Sequence, residues 1–198
     1  MAQLPTQPQA RTWLDRNLGA SQVATSSTDH LSYGALFQWG RASDGHECIT
    51  WTDSITGAGT NGTTNTKEDN PGHSDFITGG SGDWRVTQDD TLWDGATGAN
   101  NPCPTGFRLP TKTELQAEIA SWATEDAAGA FGSVLKLPIS GYHYHIDGLV
   151  YRGGIVGYYW TSNVFGIQAA SYFEFGTGGA GFNTMSRIRG HTVRCIQD

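Results

Sequence analysis

The chain has few charged residues and no long apolar run. Only 16% of its 198 residues are Asp, Glu, Lys or Arg, and no apolar segment is long enough to span a bilayer. The 12 basic residues stand against 19 acidic ones, which gives a formal net charge of −7. A nucleic-acid partner would require a basic face against its phosphates. The sequence therefore predicts neither membrane insertion nor nucleic-acid binding.

Cysteine is scarce and odd in number. The three cysteines are Cys48, Cys103 and Cys195, so at least one thiol has no partner within the chain. No Cys-x-x-Cys or Cys/His spacing indicates zinc, and the spacing by itself assigns no disulfide. Residues 1–10 lack the basic start and apolar core of a signal peptide, so no signal peptide is visible, and we expect an N-terminal tail there.

Glycine and tryptophan are abundant instead. The 27 glycines and 7 tryptophans, with so few charges, are typical of a loop-rich β or α+β domain rather than a helical bundle. The length predicts a single domain, which we place at residues 11–198, with a substantial core. Residues 43–100 are rich in Gly, Thr, Asn, Asp and Ser. We interpret them as a long insertion of ordered loops pinned by tryptophans.

Two helices are predicted. Thr111 followed by Glu114 forms a capping box, and apolar residues at helical spacing predict a helix over 112–122. A cluster of capping residues at 26–29 precedes a second helical pattern, Leu31–Arg41, which contains one glycine. Residues 11–20 are interpreted as a first strand that runs into a turn.

The last third of the chain alternates apolar and polar residues in short runs broken by glycines. This pattern predicts about five antiparallel strands. They cover 136–145, 149–152, 157–162, 170–175 and 192–196. In the fourth strand, Phe173 and Phe175 share one face, so we expect Tyr172 and Glu174 to point towards solvent or ligand on the other.

Two segments carry residue types that bind metals. His143 and His145 lie on one strand face with Asp147 nearby, which suits a transition metal, whereas the alternative is a solvated strand edge. An acidic loop beside Trp93 offers oxygen ligands for Ca²⁺, the one candidate cofactor, but lacks a spaced repeat of ligands. Its carboxylates are Asp89, Asp90 and Asp94. We therefore assign no metal ligand.

Several short motifs occur in an order that can be compared with known domains. They are Asp15-Arg-Asn-Leu-Gly-Ala20, Tyr33-Gly-Ala-Leu-Phe-Gln-Trp-Gly-Arg41, Asp83-Trp-Arg85, Leu92-Trp-Asp-Gly95, Asn101-Pro-Cys-Pro-Thr-Gly-Phe-Arg-Leu-Pro-Thr111, Gly157-Tyr-Tyr-Trp-Thr-Ser162 and Val193-Arg-Cys195. In this order they resemble the "major paralogous" domains of FISUMP type, over about residues 12–198. Those domains are similar to the C-type lectin fold and to formylglycine-generating enzymes.

The resemblance implies an α+β, C-type lectin-like fold with two helices, short antiparallel sheets and long ordered loops. It also implies a disulfide between Cys103 and Cys195, which leaves Cys48 free, and we expect that thiol to be buried. The positions that match the family's framework are Trp160, Phe173, Phe175, Arg187, Gly190, Val193 and Cys195. The tryptophans in matching motifs are expected to be buried, and they are Trp39, Trp84, Trp93 and Trp160.

The resemblance also implies a function. The same C-terminal module serves as the variable protein of diversity-generating retroelements, in which randomised codons alter a ligand surface. Residues 157–198 are therefore the predicted variable, ligand-binding region, expected to form one contiguous and mostly exposed face; the alternative is that its aromatic residues fill a small core. Its predicted ligand-binding residues are Tyr158, Asn163, Phe165, Ile167, Ser171, Tyr172, Glu174, Phe182, Asn183, Arg189 and His191.

The expected function is binding rather than catalysis. The ligand would be a protein or a glycan on a target surface, and the location a virion or a cell surface; the sequence indicates no oligomeric state. One alternative is an enzyme related to formylglycine-generating oxidases. However, such an enzyme needs two nearby reactive cysteines, and Cys48 lies in an unrelated segment. No Gly-x-Ser-x-Gly motif is present. A second alternative is a surface adhesion or structural paralogue without diversification.

Overall fold

The computed structural model of the chain describes residues 11–198, so the predicted tail at 1–10 lies outside the described residues. Within this range the protein is mostly β, with thirteen short strands in five sheets. The two α-helices have only 8 and 6 residues. The predicted α+β, C-type lectin-like architecture is therefore wrong. Frequent glycine-rich turns divide the chain into short strands, and little of it remains regular for long enough to form helices.

The helices are α1 (Lys112–Ile119) and α2 (Ala127–Gly132), and a 3-10 turn spans His30–Ser32. The strands are β1 (Phe37–Gln38), β2 (Ile49–Trp51), β3 (Gly57–Gly59), β4 (Thr63–Thr64), β5 (Phe76–Ile77), β6 (Phe107–Arg108), β7 (Tyr142–His143), β8 (Val150–Tyr151), β9 (Val156–Phe165), β10 (Ala169–Gly176), β11 (Gly179–Ser186), β12 (Gly190–His191) and β13 (Ile196–Gln197). The longest strands form an antiparallel sheet in the order β11-β10-β9, and a second sheet has the order β1-β12-β7-β8. The pairs β13-β6 and β2-β3 are antiparallel, whereas β4-β5 is parallel.

The three-stranded sheet is buried on both faces. Phe173 and Phe175 pack with α1 and α2 in one apolar cluster. Trp160 and Tyr172, which are register partners on the other face, pack in a second cluster with Trp93. Side chains that alternate along one strand thus enter two different cores.

The predicted helix at Leu31–Arg41 is wrong. Gly34 has a φ of +74° and approaches the carbonyl oxygen of Leu18 so closely that a Cβ would collide with it. Beyond this glycine the backbone bonds to distant segments, because the Leu36 N–H donates to the Glu47 carbonyl at 2.9 Å. Tertiary hydrogen bonds therefore replace the i→i+4 bonds that a helix would have made.

The helix predicted after Thr111 is confirmed as α1. The Thr111 side chain accepts from the Glu114 N–H, and the Glu114 carboxylate accepts from the Thr111 N–H, so both halves of the capping box are present. The helix ends at Ile119, three residues earlier than predicted. Helix α2 was not predicted.

Some of the predicted strands are confirmed, whereas others are shortened or divided. The strands at 157–162 and 170–175 are confirmed within β9 and β10, and the one at 149–152 is confirmed as the shorter β8. The strand at 136–145 is reduced to β7, and the one at 192–196 is divided between β12 and β13. Residues 11–20 contribute only an isolated bridge from Trp13 to Ile196. Strand β11 was missed because its glycines disguise a strand that the neighbouring β10 stabilises.

The predicted disulfide is confirmed. Cys103 and Cys195 are bonded, with Cα atoms 5.9 Å apart. Cys48 is free, but it is exposed rather than buried, because it precedes a hairpin of only two short strands, β2 and β3. The four tryptophans predicted to be buried are all buried.

Arg108 joins β6, helix α1 and the C-terminus. Its guanidinium donates to both oxygens of Glu114 at 2.8 Å and to Asp198 at 2.7 Å. The paired Arg108 lowers the pKa of Glu114 to about 2, although partial burial of the carboxylate opposes this shift.

Acid should weaken the protein through this carboxylate. Because its pKa is lowered on folding, Glu114 contributes stability that is present above about pH 4.5 and is lost as the pH falls towards 2. We expect Glu114→Gln to be less stable than the parent at pH 6 and to lose less stability between pH 6 and pH 3. Urea unfolding at both values measures this difference. Glu125→Gln, at an exposed glutamate, is the matched control; equal slopes for the parent and Glu114→Gln would contradict the assignment.

Candidate ligand-binding face

The structure divides the predicted site residues by exposure. The exposed members are Asn163, Phe165, Ile167 and Asn183. The half-buried members are Glu174, Phe182 and Arg189. The buried members are Tyr158, Ser171, Tyr172 and His191. The expectation of a mostly exposed face is therefore wrong for the last group.

Burial of Tyr172 and His191 has a simple cause. The alternation in β10 was interpreted as one buried and one open face, but the second sheet covers the supposedly open one. His191 on β12 stacks on Trp160 with ring centroids 4.2 Å apart and meets Tyr172 edge-on at 4.8 Å. The alternating pattern of β10 placed its side chains on the correct faces of the strand, but it did not show that both faces are covered by other elements.

The predicted residues also lie on two sides of the β9–β10–β11 sheet. Phe182 pairs with Phe173 on the helix side, whereas Glu174 pairs with Tyr158 on the opposite side. On the helix side, a groove of about 360 Å³ is lined by Lys112, Asn163, Val164, Phe165, Ser171, Phe182, Asn183 and Thr184. The predicted residues thus form two separate surfaces rather than one contiguous face.

On the opposite side, four tyrosines and an arginine pack together, with Tyr158 buried beneath half-buried or exposed neighbours; we call this group the tyrosine–arginine face. It consists of Tyr142, Tyr144, Tyr151, Tyr158 and Arg189. The ring of Tyr142 is central: its centroid lies 5.9 Å from Tyr144, 6.0 Å from Tyr151 and 5.2 Å from Tyr158. Offset and edge-on rings at these distances support one another.

The guanidinium of Arg189 lies over this aromatic surface. Its central carbon is 4.5 Å from the ring centroid of Tyr142 and 5.0 Å from that of Tyr144. Both distances are within the range of cation–π attraction. The Arg189 Nε is buried and has no hydrogen-bond partner.

A groove of about 420 Å³ borders this face. Its lining includes Arg152, Tyr158 and Glu174, together with the glycine-rich turn between β10 and β11. Arg152 donates to the Tyr158 hydroxyl at 3.3 Å. Burial raises the pKa of Tyr158, so its hydroxyl stays protonated at neutral pH. The groove therefore offers a cation, an anion and a phenol within a wall that is otherwise apolar and rich in glycine.

Sequence reasoning missed Tyr142, Tyr144 and Tyr151. The signal was available in the alternation Tyr142-His-Tyr-His145, which places both tyrosines on the strand face opposite the histidines. Pairing of Tyr142 with Tyr151 across β7 and β8 could not be known from the sequence.

The histidines form neither of the predicted arrangements. His143 and His145 are buried, so this is not a solvated strand edge. His143 stacks on Phe76 at 3.6 Å, and burial lowers its pKa to about 4. Asp147 instead accepts from the Tyr151 hydroxyl at 2.7 Å. Within residues 11–198, the ligand atoms of His143, His145 and Asp147 do not converge.

Asp44, His46 and Glu47 are the one group of such residues in the described chain whose ligand atoms do converge. Their side-chain nitrogen and oxygen atoms already have hydrogen-bond or ion-pair partners within the protein. The His46 Nε2 accepts from the Gln38 N–H at 3.1 Å, and its Nδ1 lies 2.7 Å from Asp44, whose other oxygen binds Arg41. The arrangement is an internal hydrogen-bond network that closes the loop around residues 41–47.

The acidic loop is likewise engaged in local contacts. Asp89 accepts from the Thr91 N–H at 2.9 Å, and Asp90 pairs with buried Arg187. The carboxylates of the three aspartates, Asp94 included, do not converge on a common point within the described residues. The loop thus serves to hold Arg187 against Trp39, whose ring centroid is 4.5 Å from the guanidinium carbon.

No helix within residues 11–198 is both long and apolar enough to cross a bilayer. In comparisons with known proteins, no family model, curated protein or solved structure matches the chain.

Proposed function

We propose that this protein binds a ligand through the tyrosine–arginine face, and that it is the variable protein of a diversity-generating retroelement. The observation that carries the binding proposal is the guanidinium of Arg189, which is held over Tyr142 and Tyr144 at an accessible surface. The retroelement part rests on the motif resemblance of the sequence.

Tyrosine and arginine suit such a role. Tyrosine offers a large contact area and a polar tip at a small rotamer cost, and both residue types are enriched among the residues that dominate binding energy. Here the tyrosine rings restrain one another, so little conformational freedom remains to be lost on binding.

Diversification would be confined to positions whose side chains do not fill the core. The exposed and half-buried members of the predicted set meet this condition. Arg189 belongs to the tyrosine–arginine face, and Glu174 lines the groove beside it. Four more line the separate groove on the helix side, namely Asn163, Phe165, Phe182 and Asn183, and Ile167 is exposed in the turn between β9 and β10. The buried members, such as Tyr172 and His191, would instead form the floor of the binding surface. The disulfide and the buried tryptophans supply a frame that tolerates changes at the surface.

Binding is favoured over the enzyme alternative by the state of the cysteines. Cys103 and Cys195 are joined, which leaves Cys48 as the one free thiol in the described chain. A formylglycine-type oxidase requires a pair of reactive thiols. The observed arrangement uses the other two for stability.

Sequencing the 3′ coding end from many cells of one population tests the proposal. We expect a reverse transcriptase gene and a near-copy of this coding end nearby, with substitutions concentrated at the seven exposed and half-buried positions. Framework codons such as those for Trp160 and Cys195 should stay unchanged. An invariant coding end without a near-copy would favour a paralogue that is not diversified.

A second test, made on the purified protein, compares the melting temperatures of variants at exposed and buried positions of the predicted set. Phe165→Ser, Ile167→Ser and Asn183→Ser together should shift the melting temperature by less than about 5 °C, because exposed substitutions usually change stability by less than about 0.5 kcal/mol each. Tyr172→Ser alone, at a buried member of the set, should lower it by about 10 °C or more. A collapse of the triple variant would show that these residues are structural.

A further inference from the structure

Arg189 stands apart from the other eight arginines of the chain. Six of them lie within ion-pair distance of a carboxylate, namely Arg11, Arg16, Arg41, Arg85, Arg108 and Arg187. Arg152 donates to Tyr158, and Arg194 donates to Asn17 and to buried carbonyls. Within residues 11–198, Arg189 is the one arginine whose side chain has neither a hydrogen bond nor a carboxylate within ion-pair distance, although its Nε is buried.

Two imidazoles lie close enough to Arg189 for its charge to act on them. His191 is fully buried with both ring nitrogens unpartnered, and the Nδ1 of His145 is also buried without a partner. Burial lowers the pKa of both histidines, and the charge of Arg189 lowers each further, so both are neutral at neutral pH. Each neutral ring carries one N–H donor and one acceptor nitrogen but no negative charge, so neither ring balances the charge of Arg189. A buried donor without an acceptor costs free energy that a ligand can recover.

We propose that Arg189 anchors a carboxylate of a protein partner, an Asp or Glu side chain lying across Tyr142 and Tyr144. This inference rests on the proposed function and names the chemistry of its ligand. The fork of a guanidinium matches a planar carboxylate with two parallel hydrogen bonds. Tyrosine rings packed around an arginine are typical of the buried centre of protein interfaces. The chain carries a net charge of −7, so this unpaired cation is a specific point for an acidic partner rather than part of a general basic field.

The test selects peptides from a random phage-displayed library on the immobilised full-length chain. Enriched peptides are synthesised, and their dissociation constants are measured for the parent, Arg189→Gln, Arg189→Lys and Tyr144→Ala. Arg16→Gln is the matched control, because Arg16 is an exposed arginine that already pairs with Asp15. Each peptide is also made with its acidic residues replaced by Gln or Asn. A sialylated trisaccharide is titrated in parallel, so that an acidic sugar is distinguished from an acidic peptide.

We expect enriched peptides to contain Asp or Glu and to lose roughly tenfold or more in affinity with Arg189→Gln, since hydrogen bonds to charged groups contribute about 1.5–3 kcal/mol. Arg189→Lys should lose less, and Arg16→Gln nothing. Replacing the acidic residues of the peptide by Gln or Asn should not weaken its binding to Arg189→Gln any further. If Arg189 and the peptide carboxylate form one ion pair, either substitution alone already removes it. The melting temperature of Arg189→Gln should fall by only a few degrees, because the side chain makes no hydrogen bond and its cation–π contacts contribute about 0.5–2 kcal/mol.

Three results would overturn the inference. Peptides that need Tyr144 but not Arg189 would leave the binding function standing and remove the carboxylate anchor. Binding of the sialylated sugar through Arg189, without acidic peptides, would make the partner a glycan. If no peptide or sugar depended on either Tyr144 or Arg189, the proposed binding face itself would be wrong.

Discussion

Replacing Cys103 and Cys195 together by alanine is expected to lower the free energy of unfolding by about 3–5 kcal/mol. The bridge joins positions 92 residues apart, so it removes much of the conformational freedom of the unfolded chain. Both cysteines also belong to the core cluster of Trp93 and Trp160, so their loss removes apolar contacts as well. Urea unfolding of the parent and the double variant measures the effect.

Cys48→Ala is the matched control, because Cys48 is exposed and unpaired. Its unfolding midpoint should stay close to that of the parent. Reduction of the parent should reproduce most of the loss seen in the double variant, and a reducing agent should not change the unfolding midpoint of the double variant. If the double variant unfolded at the same urea concentration as the parent, the bridge would be dispensable for stability.

Trp160→Ala is expected to destabilise the protein by about 3–5 kcal/mol, the usual result of deleting a core aromatic side chain. Trp160 is fully buried, its indole N–H donates to the Phe37 carbonyl at 2.8 Å, and its ring stacks on His191. The substitution therefore leaves a cavity and an unsatisfied buried carbonyl at the junction of the two larger sheets.

Phe165→Ala is the matched control on the same strand, because Phe165 is 60% exposed at the end of β9. We expect a change of less than about 0.5 kcal/mol there. Equilibrium unfolding of both variants by tryptophan fluorescence and circular dichroism separates them. Similar losses in the two variants would show that Trp160 is not a core residue in solution.

Local chemistry determined part of this protein. The capping box of Thr111 and Glu114 needs only neighbouring residues, so α1 begins where the sequence predicts. Period-two alternation likewise identified β9 and β10, because the geometry of a strand is intrinsic to it. The disulfide between Cys103 and Cys195 followed from a resemblance to known domains, whereas the spacing of the cysteines could not assign it.

Tertiary structure decided the rest. Residues 31–41 have a helical pattern, yet hydrogen bonds to distant segments such as Glu47 hold them in another conformation. Alternation placed Tyr172 opposite Phe173, but only packing of the second sheet buried Tyr172 as well. Arg189 meets Tyr142 and Tyr144 because β12 pairs with β7. A sequence pattern specifies which side of a strand a residue occupies, whereas the elements that cover that side come from distant parts of the chain.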